Sequence, residues 1–257
     1  MKFINKFKSL NFDTRVSSTI EYIIIHYTAL KNNETAISFL CNPKKKVSCH
    51  FLISQNGDIY NLVNEKKRAW HAGLCYWKGK TDINSSSLGI ELDYSLNKEN
   101  NNFTNKMMKS LVSLLKYLTK KYNIDIKNVL GHSDIAPYRK KDPGKNFPWD
   151  YLVKNKLAFF PNNNYQKIDL IRLDNWFKNN GFNSKKNIII YILNNIGYDT
   201  SKTIKNYNNY KKLVQAYQIH YLQFNVNGRV DKITYNFLSI HFLNLVLNKN
   251  KKIIIDI

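Results

Sequence analysis

Cysteine is scarce in this chain of 257 residues. Cys41, Cys49 and Cys75 are an odd number at spacings that match neither a zinc knuckle nor a CxxC pair, so no disulfide framework is implied. Long apolar runs are missing too, and no stretch approaches the roughly 18 residues needed to span a bilayer. The start, MKFINKFKSLNFDTRVSS, is positive but lacks the apolar run and small-residue cleavage site of an export signal, and it has no cysteine to carry a lipid. Read literally, the chain stays in the cytoplasm. Acidic residues are few: 18 against 40 Lys and Arg, a formal net charge of +22. That biases the surface toward nucleic acid, acidic lipid or an acidic polymer without choosing among them. The crowding of Asn, Lys and Ile is also what an A- and T-rich genome produces, so compositional drift is a second source for part of the charge. No zinc knuckle, helix-turn-helix signature or RNA-binding strand motif accompanies it, and no nucleic-acid partner is expected. What the chain does have is a core. Its 43% hydrophobic and 14% aromatic residues exclude disorder, and its length allows one large domain or two unequal ones.

Glu21 to Tyr27 (EYIIIHY) is short, β-branched and almost wholly apolar, the pattern of a strand buried on both faces. Val47 to Ser54 and Asp58 to Val63 flank Gln55-Asn56-Gly57, a hairpin signal. Ser87 to Tyr94 reads as another strand, with Glu91 in its middle. Behind Thr104 as N-cap, Met107, Leu111, Leu114, Leu118 and Tyr122 recur at helical spacing. Val129 and Leu130 lead through Gly131 to His132, and SDIAPYRKKDPGKNFPW then reads as a loop. Strands mixed with helices predict an α/β domain built on one central sheet. Past Phe160, PNNNYQ reads as a linker. Helices are expected over about 168–180, 185–196, 208–223 and 231–247, stopped by Gly181, Gly197 and Gly228, with Asp231 capping the last and Phe237, Leu238, Phe242 and Leu245 facing a core. The expected organisation is an N-terminal extension over 1–18, a catalytic domain over 19–160 and a small all-helical domain over 161–257.

His26 and His132 end strands, at the sheet edge where sites are assembled, and Asp142 sits in a Pro-Gly turn ten residues past His132. Two neutral imidazoles and a carboxylate make a three-ligand zinc set that leaves the fourth tetrahedral position for water. Spacing alone does not separate this from isolated structural histidines. Glu91 in LGIEL has two readings: an outward-facing strand glutamate, or a general base that burial holds near working pH. Arg139 and Lys140 fit an oxyanion or carboxylate contact, or a solvated basic loop. His50 reads as a core histidine, and His220 and His241 as structural or surface residues.

Together IIIHYTA, VSCHFLISQNGDIYNLV, RAWHAG, NSSSLGIEL and GHSDIAPYRKKDPGKNFPW resemble, in order and spacing, the motifs of zinc-dependent N-acetylmuramoyl-L-alanine amidases of the AmiD/AmpD type, which share their fold with peptidoglycan recognition proteins. The likeness covers about residues 13–157. From Ile168 on, QAYQIHYLQFNVNGRVDKITYNFL resembles a peptidoglycan-binding-like helical module, which favours the longer AmiD type. The resemblance implies a central mixed β-sheet flanked by helices, one zinc ion on His26, His132 and Asp142, Glu91 as base and Lys140 as its helper and charge stabiliser. It also implies substrate contacts from His71, Trp70, Asn84 and Arg139. The implied reaction is hydrolysis of the amide between N-acetylmuramic acid, intact or anhydro, and L-alanine of the stem peptide. The partner is then peptidoglycan or its muropeptides, the chain a monomer by default, and the AmiD likeness places it at the cell envelope. Some relatives with this fold only recognise peptidoglycan after losing a zinc ligand; here every motif position is intact.

Overall fold

The computed structural model describes residues 1–96, 102–162 and 166–249. They form two compact units, one of residues 1–76 and 80–159, the other of Trp77–Gly79 and 160 onward. The described strands are all in the first unit: β1 (Phe3–Ile4), β2 (Phe12–Thr14), β3 (Tyr22–Tyr27), β4 (Phe51–Ile53), β5 (Ile59–Asn61), β6 (Lys67–Ala69), β7 (Ser87–Leu92) and β8 (Val129–Gly131). Its helices are α1 (Asn33–Cys41), α2 (Ile83–Ser86), α3 (Asn105–Tyr122), α4 (His132–Ile135) and α5 (Trp149–Lys154).

Six strands form one mixed sheet in the order β1-β5-β4-β7-β3-β8, antiparallel only at the β4–β5 hairpin. The hairpin closes where the sequence places it, with Gly57 at φ +87° and its N–H donating to Ser54 O at 2.9 Å. The register of β3 against β7 sets Tyr22 beside Ser87, Ile24 beside Gly89 and His26 beside Glu91. Because side chains alternate, Ile23, Ile25, Leu88, Ile90 and Leu92 share one face, and they pack with Met107, Leu111 and Leu115 of α3. Ile24, His26, Gly89 and Glu91 share the other. On that face Leu52 of β4 packs with Ala36, Ile37 and Leu40 of α1. α3 begins where expected: Thr104 Oγ1 accepts from Met107 N at 3.2 Å.

Two expectations need correcting. Residues 1–18 are not an extension ahead of the domain, since β1 pairs in parallel with β5 in the main sheet and β2 pairs with β6 in a second, two-stranded sheet. Ser9 and Asn11 are buried there as well. The segment after His132 is not all loop: His132 opens the one-turn helix α4, held by Gly131 N donating to Asp134 Oδ2 at 2.7 Å and Ala136 N to His132 O at 3.0 Å. Pro137, directly after the capping residue Ala136, stops it within a turn.

In the second unit the described helices are α6 (Lys167–Asn179), α7 (Lys185–Ile196), α8 (Tyr207–Tyr221) and α9 (Lys232–Lys249). Gly181, Gly197 and Gly228 all have positive φ, and Asp231 Oδ1 accepts from Thr234 N at 2.8 Å at the start of α9. Leu238 and Phe242 are buried, whereas Phe237 and Leu245 are only partly so. His220 and His241 are buried structural residues, the latter with Nδ1 3.3 Å from the Tyr217 hydroxyl. Trp77 belongs to this unit despite its place in the chain: its ring lies 4.9 Å from that of Tyr198, and Lys78 N donates to Gly197 O. Of the expected linker, residues 163–165 lie outside the described residues.

Candidate metal centre

Parallel strands β3 and β8 run out at the same edge of the sheet, so His26 and His132, 106 positions apart, meet there. Ser133 N donates to Asp142 O at 2.8 Å and folds the loop back onto α4, which brings the Asp142 carboxylate to both imidazoles. His26 Nδ1 lies 2.9 Å from His132 Nδ1 and 3.1 Å from Asp142 Oδ2, and His132 Nδ1 lies 3.0 Å from the same oxygen. All three residues are buried.

The chemistry of this donor set fits a cation. His132 Nε2 is 3.0 Å from Ala72 O, a carbonyl that only accepts, and 3.3 Å from Arg139 Nη2, which donates at shorter range to Ala72 O and Leu74 O; this assigns the ring proton to Nε2 and turns the Nδ1 lone pair inward. His26 turns its Nε2 outward to His71 Nδ1 at 3.1 Å and presents Nδ1 inward as well. Two nitrogen lone pairs and a carboxylate oxygen therefore converge, an arrangement that a divalent cation relieves. Burial, with His132 beside it, lowers the His26 pKa to about 4, which keeps it neutral as a ligand must be. Burial works against ionised Asp142, yet the adjoining His132 and His26 hold its carboxyl well below the usual range.

Beside this group is a cavity of about 210 Å³ bordered by Tyr27, Phe39, Glu91 and Lys140 among others. Glu91 is partly exposed, but its Oε2 is shielded from solvent and has no hydrogen-bond partner among the described residues. Burial and the nearby Asp142 charge raise its pKa to about 8, with Lys140 opposing them. The strand register explains its position: His26 and Glu91 are neighbours across β3 and β7.

The remaining residues read from the motifs divide differently. His71 borders the cavity, but its ring is buried and both nitrogens are engaged, Nδ1 with His26 and Nε2 with Ser87 Oγ at 3.2 Å. Trp70, Asn84 and Arg139, expected at the substrate, do not border this cavity. Trp70 Nε1 donates to Asp13 Oδ2, and Asn84 Oδ1 accepts from the N–H groups of His71 and Ala72. Arg139 donates to Leu74 O from Nε at 3.0 Å and Nη2 at 2.7 Å, and to Ala72 O. All three hold the segment 70–74 that backs the histidines. His50 is a core residue: Nδ1 accepts Gly89 N–H at 3.0 Å, and burial with Arg15 nearby lowers its pKa to about 3. Missed in the sequence were Ser87 behind His71 and Tyr27 and Phe39 on the cavity wall, none of which carries a distinctive local signal.

A mixed sheet covered by helices, with a His-His-Asp donor set and a lone carboxylate at its strand ends, defines an α/β domain built around a metal-type hydrolytic centre. The family description N-acetylmuramoyl-L-alanine amidase (Amidase_2) matches residues 16–145, and the chain belongs to that family. N-acetylmuramoyl-L-alanine amidase AmiD of Escherichia coli K12 is 30% identical over 230 residues, which cover 84% of this chain and 79% of that protein. The 1,6-anhydro-N-acetylmuramyl-L-alanine amidase AmpD of Haemophilus influenzae is 33% identical over 167 residues, 58% of this chain and 89% of that one. Among solved structures, E. coli AmiD in complex with anhydro-N-acetylmuramic acid-L-Ala-D-gamma-Glu-L-Lys superposes with a TM-score of 0.73 at 27% identity, covering 90% of this chain and 89% of that chain. AmpDh3 of Pseudomonas aeruginosa in complex with an anhydromuramic pentapeptide gives 0.73 at 26%, covering 93% and 97%.

Proposed function

We infer that this chain hydrolyses the amide between the lactyl group of N-acetylmuramic acid and L-alanine of the stem peptide in cell-wall turnover or recycling, with one zinc ion held by His26, His132 and Asp142. The observation that carries the reading is the convergence of these three donors with Glu91 and Lys140 on one cavity. Bound zinc supplies Lewis-acid polarisation of a carbonyl and makes water acidic enough to attack near neutral pH. Glu91 Oε2 takes the proton of the attacking water and delivers it to the departing L-alanine nitrogen, because an amide anion is too poor a leaving group to depart unprotonated. To act as a base Glu91 must be ionised, and positive charge held by the donor set together with Lys140 returns its carboxyl toward the ordinary range. Lys140 offsets the negative charge that develops on the carbonyl oxygen during attack, before the nitrogen leaves.

Intact donors and base favour this reading over a module that only recognises peptidoglycan. All five side chains come from the first unit, which supports a site complete within one copy of the chain. The sequence likeness of the helical second unit to a peptidoglycan-binding module supports a role for it in holding the enzyme on wall material.

Mass spectrometry of products from N-acetylmuramoyl and anhydro-N-acetylmuramoyl tripeptides, with zinc-loaded and chelator-treated protein side by side, tests the reaction. Free peptide beginning with L-alanine should form only in the zinc-loaded sample. Uncleaved substrate in both would leave recognition without catalysis.

A further inference from the structure

Strand β7 is shaped around His71. At Gly89 a Cβ would lie 2.5 Å from His71 Cγ, so only the missing side chain lets the imidazole lie against the strand. Asn84 Oδ1 fixes the backbone from the other side by accepting the N–H groups of His71 and Ala72 at 3.1 and 2.8 Å. The ring stands edge-on to His26 and His50, with centroids 5.2 and 5.7 Å away. Such a setting leaves it no freedom to turn toward a ligand.

The proton positions follow from the far end of the row. Ile83 O is a carbonyl that only accepts, and it lies 2.6 Å from Ser87 Oγ, so the single hydroxyl proton of Ser87 points to Ile83. Ser87 Oγ must then accept from its other neighbour, which places a proton on His71 Nε2. A neutral His71 is left with a bare Nδ1, and that nitrogen accepts from His26 Nε2. His26 in turn presents an unprotonated Nδ1 to His132 and Asp142. Run in reverse, the row would place a proton on His26 Nδ1 and close that atom to a cation.

We propose that Ile83, Ser87 and His71 form a hydrogen-bonded relay that fixes the tautomer and ring orientation of His26, making His71 a positioning residue for the metal and not a substrate contact. The proposal rests on the metal-site reading above. Outer partners of this kind change metal affinity without touching substrate.

The test is histidine ¹⁵N–¹H NMR on the full chain, metal-free and zinc-loaded, combined with zinc titrations of variants against a competing chelator. His71 should be protonated at Nε2 and bare at Nδ1 in both states. Zinc affinity should fall about 10- to 100-fold in His71→Leu, and far less in His71→Asn, whose Oδ1 can replace the Nδ1 acceptor. A proton on His71 Nδ1, or zinc bound as tightly by a folded His71→Leu as by wild type, overturns the relay. Should His71→Leu fail to fold, the tautomers of the wild type still decide. A wild type that takes up no zinc would instead sink the metal reading, and its metal-free tautomers would judge the relay separately.

Discussion

Glu91 has properties that pull in opposite directions. Its Oε2 is shut away beside Asp142 with no hydrogen-bond partner among the described residues, which favours the protonated acid, yet proton abstraction needs the carboxylate. Substituting Glu91→Gln removes the base and keeps the shape, so zinc binding should persist while turnover falls by about 10²- to 10⁴-fold. The same substitution has a signature in stability. The folded pKa, about 8, lies above the ordinary 4.5, so between those values the folded chain holds a proton that the unfolded chain has released. The carboxyl therefore stabilises the fold least at high pH, its favourable contribution being lost as pH rises through that window. Metal-free Glu91→Gln should gain melting temperature over wild type at pH 8 and gain less or nothing near pH 5. An equal gain at both values would show that Glu91 is not shifted, and unchanged turnover would remove it from the mechanism.

At the scale of elements, the alternation along β7 does two jobs: Leu88, Ile90 and Leu92 join the core under α3 while Ser87, Gly89 and Glu91 serve the opposite face. Gly89→Ala tests that division, since the added methyl meets the His71 ring at contact distances of 2.5 to 2.8 Å. Overpacking there should cost about 1–3 kcal/mol in urea melts, and the displaced His71 should weaken zinc binding in parallel. Unchanged stability and affinity would mean that the ring is not held against the strand. Much of this was legible in the chain: EYIIIHY, QNG and the Thr104 helix are carried by local period and turn chemistry. β1 and β2 were not, because FI and FDT are too short to show a period and exist through pairing with β5 and β6. Helix α4 was hidden because two bonds, Gly131 N to the Asp134 carboxylate and Ala136 N to His132 O, outweigh a turn-rich composition for a single turn. The meeting of His26, His132 and Asp142 depends on strand order, which spacing does not encode; the family motifs supplied it. Those motifs did not say which way Trp70, Asn84 and Arg139 point, and hydrogen bonds from Trp70 to Asp13, from the Ala72 N–H to Asn84 and from Arg139 to Leu74 O decide that.

For the whole molecule, charge is the largest property that neither the fold nor the site explains. Forty cationic side chains face eighteen acidic ones, and the ion pairs seen, such as Lys121 with Glu65 and Lys80 with Glu21, consume acids that are already in short supply. The excess must remain at the surface, since unpaired Lys and Arg are not buried. Peptidoglycan carries free stem-peptide carboxylates at high density, so a sacculus offers many counter-charges at once where a soluble muropeptide offers few. Screening separates the two cases, because the Debye length shrinks from about 10 Å at 0.1 M salt to about 3 Å at 1 M. If the charge serves wall binding, affinity for purified sacculi should drop by at least about tenfold from low to molar salt while the KM for a soluble muropeptide changes little. Sacculus binding that ignores salt would assign the +22 to the A- and T-rich drift of the coding sequence and leave retention on the wall to uncharged contacts. Parallel loss on both substrates would instead place the charge effect at the catalytic cavity, with Lys140 the residue to replace first.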